Sequence, residues 1–164
     1  MGEYVKAIEF FQKAADDWPD YEYAAKALYR IANCYEELKN KGALPESQVN
    51  PQIEQAYKAV VEKYPDNEFA AHAALRLGQI NFDRSQWVEA AMYFELFRQK
   101  FPQDIGQVVL PLGQAYEQMN EPSLAAEVYR TFIETAEPND RRIEGVKREL
   151  EKLEANPLQG DQNR

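Results

Sequence analysis

With 164 residues and 45% apolar side chains, the chain is long enough for one domain with a continuous core. A net charge of −9 without a clustered Lys/Arg stripe disfavours nucleic acid, and no run of about 18 apolar residues exists to span a membrane. One cysteine, Cys34, and one histidine, His72, exclude an intrachain disulfide and a zinc cluster.

Apolar periodicity and breaker residues predict eight helices, over 3–17, 21–40, 51–63, 67–83, 86–100, 104–119, 122–136 and 140–154. The first carries Ala7 and Phe11 and stops before Pro19. Between the second and third, the stretch 39–50 contains Gly42, Pro45 and Ser47 and reads as an inserted loop, with Asn50 as the next N-cap and Pro51 as the first helical residue. Pro111 falls inside the sixth helix, where the missing amide should kink it or delay its start. The last helix has a single apolar stripe, Ile143, Val146, Leu150 and Leu153, as a terminal cap would. Residues 156–164 hold one sizeable apolar side chain, Leu158, and read as a disordered tail.

Two spacings recur. Ala7-x3-Phe11 precedes Pro19, Ala90-x3-Phe94 precedes Pro102, and Ile53-x3-Tyr57 precedes Pro65. Ahead of the later copies stand Leu28-x2-Ile31-Ala32-x2-Tyr35, Ala74-x2-Leu77-Gly78-x2-Asn81 and Val109-x2-Leu112-Gly113-x2-Tyr116. Small residues at Ala32, Gly78 and Gly113 let paired helices approach, and large ones at Tyr57, Phe94 and Tyr129 fill the space left between turns. From the Tyr position to the Ala position the second and third copies run nine residues, whereas the first runs from Tyr35 to Ile53, so nine residues are inserted there.

Joined, these half-motifs resemble the tetratricopeptide repeat (TPR), W-x2-L-G-x2-Y, then A-x3-F, then P. Leu28, Ala74 and Val109 stand in the tryptophan place, and Asn81 in an aromatic one. The resemblance implies an all-α fold, a right-handed α-solenoid of antiparallel helix pairs. It divides the chain into a half repeat over 1–20, full repeats over 21–65, 66–102 and 103–138, and a capping helix over 140–154. The N-terminal half repeat implies a piece of a longer protein whose targeting signal, if any, lies upstream. It leaves Ile8, Phe11 and Ala14 without a partner helix, a face for another chain or for self-assembly.

Catalytic chemistry has little support. Cys34 sits in the packing motif, His72 falls in a different repeat, and paired acids such as Glu36–Glu37 or Asp16–Asp17 do not face each other on a helix. With no glycine-rich phosphate loop either, no cofactor or metal is expected and the chain reads as a non-enzyme. In the family the first helices of successive repeats line a groove that holds a partner polypeptide. Carried across, its positions are Lys26, Tyr29, Asn33 and Glu36; His72, Leu75, Gln79 and Phe82; and Gln107, Leu110, Gln114 and Glu117. Asn33, Gln79 and Gln114 each follow the small packing residue, and their amides could hold a peptide backbone while Tyr29, Leu75, Phe82 and Leu110 give apolar contact.

The Lys and Arg of the family's chaperone-binding carboxylate clamp are replaced by Leu75, Gln79 and Leu110, which argues against that activity. An acidic chain favours a neutral or basic partner segment. The near copies Pro19–Ala32 and Pro65–Gly78 are similar to TPR proteins of the bacterial envelope, implying a scaffold of the envelope or periplasm. The competing expectation is a regulatory or targeting segment of a larger enzyme.

Overall fold

The computed structural model describes residues 2–155, so the expectation for 156–164 lies outside the described residues. The described residues form eight α-helices and one 3-10 helix, with no strand among them. Contacts divide the chain into two units, Met1–Leu77 and Gly78–Arg164, with the boundary inside a continuous helix.

The first unit contains α1 (Gly2–Asp17), α2 (Ala24–Asn40), α3 (Glu46–Lys63) and the opening turns of α4 (Glu68–Asp83). Helix α2 packs against both α1 and α3. Its alanines allow this: Ala24, Ala25, Ala27 and Ala32 are buried with Leu28 and Ile31, so a neighbour can approach on either side. Tyr57 of α3 is fully buried in this seam, and removing a side chain of that size from water contributes about 2 kcal/mol. Its hydroxyl donates to Asn33 Oδ1 at 3.0 Å, so the ring enters the core without stranding its polar end. At the far end of α3, the Tyr64 hydroxyl donates to the Pro19 carbonyl at 2.8 Å and ties the connection before α2 to the hairpin.

The nine inserted residues do not form the loop expected over 39–50. Helix α2 continues eight residues beyond Ala32, where α4 runs only five beyond Gly78. The connection is 41–45, and α3 starts at Glu46 with extended Pro45 before it. Pro51 therefore lies inside the helix, not at its first position. Val49 explains the early start: it extends the stripe of Ile53, Ala56, Tyr57 and Val60 by one turn and is fully buried, as is Leu38 on α2. Burying that extra apolar turn offsets the hydrogen bond that Pro51 cannot donate.

The second unit contains the rest of α4, α5 (Trp87–Lys100), a 3-10 helix (Pro102–Gln107), α6 (Val109–Gln118), α7 (Pro122–Thr135) and α8 (Ile143–Ala155). The expected helix over 104–119 is thus split. Pro111 sits at the third residue of α6, where an amide has no intrahelical acceptor to lose, so the helix begins just upstream of it. The preceding turn tightens into the 3-10 helix, with Ile105 buried and Gly106 against the Arg142 guanidinium. Arg142 also lies over the Phe132 ring, 5.4 Å from its centre.

Small-against-large packing is explicit in this unit. A Cβ on Gly78 would stand 2.6 Å from the Phe94 ring, and one on Gly113 would collide with the ring and hydroxyl of Tyr129. Phe94 and Tyr129 are fully buried. Helix α8 seals α7 with Val146, fully buried, and begins at Ile143 rather than 140 because Asp140 takes the capping role, accepting the Arg142 amide at 2.9 Å.

Each first helix of a pair closes in the same way. Gly42, Ser85 and Asn120 adopt left-handed backbone (φ near +60°). The next amide in each case reaches back five residues, Ala43 to Leu38, Gln86 to Asn81 and Glu121 to Tyr116, at 2.9 Å. That closure caps the orphan carbonyls and turns the chain into the second helix.

Candidate binding face on the first helices

All twelve predicted positions are half-buried or exposed. In the first unit, α2 carries Lys26, Tyr29, Asn33 and Glu36, and α4 carries His72 and Leu75. Tyr29 is the centre of a ring cluster, 5.4 Å from Tyr57, 5.4 Å from Phe69 and 6.5 Å from His72. Burial pushes its hydroxyl above the ordinary tyrosine value. Lys26 places its ammonium 5.9 Å from the centre of the Tyr23 ring.

Glu36 receives Arg76 from α4, through Nε at 3.2 Å and Nη2 at 2.5 Å. Burial alone would pull the guanidinium pKa down, but the hydrogen bond and charge of Glu36 hold it above its usual value. The Tyr57 hydroxyl is also raised, first by burial and then by the Glu36 charge. Sequence reasoning placed Glu36 on this face and missed Arg76, which fixes α4 against α2. The pair spans 40 residues and needs the register between two repeats, which no local spacing carries.

In the second unit, α4 carries Gln79 and Phe82, α6 carries Leu110, Gln114 and Glu117, and Gln107 ends the 3-10 helix. Phe82 lies against Trp87 and Phe94, at 5.2 and 6.3 Å between ring centres. Glu117 accepts the Tyr129 hydroxyl at 2.8 Å, and burial with this carboxylate raises the Tyr129 pKa. Tyr116 donates to Glu95 at 3.0 Å and is pushed up to about 12 by burial first and then by the Glu95 charge. A rule emerges from these contacts. Where the second helix presents Tyr57 or Tyr129, the first offers an acceptor, Asn33 or Glu117; where it presents Phe94, the first offers Phe82.

The three amides are therefore not equivalent. Asn33 spends its oxygen on Tyr57, Gln79 donates Nε2 to Asp83 at 2.7 Å, and Gln114 has no hydrogen bond among the described residues. What each can still offer a polypeptide differs: donors on Asn33, an acceptor on Gln79, both on Gln114. Elsewhere the chemistry is packing chemistry. Cys34 is buried, and burial raises its thiol pKa, which keeps it protonated and a poor nucleophile. Among the described residues no group of three His, Cys, Asp or Glu side chains could hold a metal ion, and no helix is long and apolar enough to cross a membrane.

Two family profiles, each described as the tetratricopeptide repeat, match the chain, one over residues 26–67 and the other over 54–105. No curated protein matches it significantly. The first match covers the α2–α3 pair with its Ala32, Tyr57 and Pro65, and the second runs from within α3 to the 3-10 helix. Across residues 26–105, where these matches fall, the helix pairs are closed by a common turn and interlocked by small residues against aromatic rings, as the tetratricopeptide pattern expects.

Proposed function

We propose that the chain is a non-catalytic scaffold that binds a neutral or basic partner polypeptide through the outward faces of its first helices, α2, α4 and α6. Tetratricopeptide repeats generally mediate protein–protein interaction, which sets the class of function. The observation that carries the choice of face is its exposure. Each pair buries its rings between its two helices, yet Leu75, Leu110 and the amides of Gln79 and Gln114 stay at least partly in water on the first helix. Apolar side chains beside amides with spare hydrogen-bonding capacity suit an extended or helical segment better than a small polar ligand. Net charge favours a partner without excess acid. The near copies at Pro19–Ala32 and Pro65–Gly78 support a bacterial envelope setting within a larger protein.

A pull-down from the source cell, comparing the chain with a Leu75→Ala, Gln79→Ala, Gln114→Ala variant, tests the assignment. Asn33 is left intact because its loss would strand the buried Tyr57 hydroxyl. Loss of the captured partner is expected; capture at an unchanged level moves the site to another face.

A further inference from the structure

The third row of the first-helix face is built differently from the other two. Aligning Ala32, Gly78 and Gly113 places Lys26, His72 and Gln107 at one position of the repeat. Lys26 and His72 belong to the same unbroken α-helices as the small residues that follow them. Gln107 instead ends the 3-10 helix, and Val108, with φ −120°, separates it from α6. No α-helical ladder therefore orients Gln107, whose direction depends on whatever holds the 3-10 helix in place.

Two contacts hold it. Ile105 is buried, and Arg142, from the connection into α8, lies so close against Gly106 that any Cβ there would collide with its guanidinium. The same guanidinium lies over the Phe132 ring of α7 at 5.4 Å and is forked onto Asp140 through Nε at 2.9 Å and Nη2 at 2.6 Å. Its pKa is held above the ordinary value first by the hydrogen bond with Asp140 and then, against the cost of burial, by the charges of Asp140 and of Asp104 in the 3-10 helix. One planar cation thus joins the 3-10 helix, α7 and the start of α8.

We infer that Arg142 is a positioning residue for the binding face: through Gly106 it fixes the 3-10 helix, and with it the direction of Gln107 and the start of α6 ahead of Leu110. This rests on the first helices being the partner-binding face, and it makes the third row of that face depend on the start of α8. Arg130 supplies the control. It pairs with Glu154 at the opposite end of α8, at 2.8 Å, so its loss loosens the same two helices far from Gly106.

The test is amide hydrogen exchange by NMR on the whole chain. The Val108 amide donates to the Ile105 carbonyl at 2.9 Å and reports on the 3-10 helix, while the Ala90 amide, on Gln86 at 2.9 Å, reports on α5. Arg142→Ala is expected to speed exchange at Val108 about tenfold or more and to leave Ala90 unchanged; Arg130→Ala should alter neither. Asp140→Asn keeps an oxygen for the Arg142 amide and removes the charge that holds the guanidinium, so it should move Val108 in the same direction by less. The functional arm places a photoreactive residue at Gln107 or at Gln114 in the source cell. Arg142→Ala should cut the polypeptide adduct from Gln107 severalfold and spare the one from Gln114, a selectivity that a general loss of structure would not produce. Unchanged Val108 exchange in both Arg142→Ala and Asp140→Asn overturns the inference alone, as does an undiminished Gln107 adduct or an equal loss from the two positions. No adduct from either position in the unaltered chain would remove the face itself, and the inference with it.

Discussion

Asp140 accepts three hydrogen bonds from one residue: the Arg142 amide and Nε on Oδ1, both at 2.9 Å, and Nη2 on Oδ2 at 2.6 Å. The side-chain hydrogen bond is the main cause, and the amide the second, of a carboxyl pKa lowered to about 2 from 3.8. A carboxylate depressed in the folded state stabilises above its unfolded value, and that contribution is lost as pH falls from about 4 through about 2. NMR titration of the Asp140 carboxyl carbon is expected to give a midpoint near 2 in the intact protein and a clearly higher one in Arg142→Ala, still held below 3.8 by the backbone amide that alanine retains. A midpoint near 3.8 in both would show that the fork does not hold the charge. Residue identity alone gave part of this site: Asn33, Glu36 and Glu117 were legible as first-helix positions. Their commitments to Tyr57, Arg76 and Tyr129 were not, because each hydroxyl or guanidinium arrives from another helix.

At the scale of the element, the helices and their pairing were readable because the pattern fixes both partners of each close contact. Gly78 with Phe94 and Gly113 with Tyr129 stand at the predicted places and touch. One misreading has a local cause, that a proline read in isolation marks a helix start, as Pro51 does in the sequence. Pro51 is overridden by the burial of Val49, whereas Pro111 does delay its helix, which starts at Val109 behind a 3-10 helix that no apolar period announces. Glycine substitutions test the packing with opposite signs. Ala in place of Gly in a helix ordinarily adds about 0.5–1 kcal/mol, and Gly145→Ala in α8, with open space around the new methyl, should show that gain. Gly113→Ala drives a methyl into Tyr129 and should instead lose about 1–3 kcal/mol in denaturant unfolding. Stabilisation by both would mean that the ring does not sit on the glycine.

For the whole molecule, what holds each unit together is distinct from what faces outward. Rings and small residues between paired helices make the core, and hydroxyl–acceptor pairs specify it at Tyr57 and Tyr129. Little on the first-helix face is needed for that core at Leu75, Gln79 and Gln114, and these positions are the ones proposed to meet a partner. With a charge of −9, steering toward such a face favours segments without excess acid and weakens as salt rises. The most direct measurement is site-specific photo-crosslinking in the source cell, with the photoreactive residue at His72 or Gln114 on the first helices, or at exposed Lys58 or Glu127 on the second. The account predicts one common polypeptide adduct from His72 and Gln114 and none from Lys58 or Glu127. The same adduct from the second-helix positions, with none from the first, would contradict it.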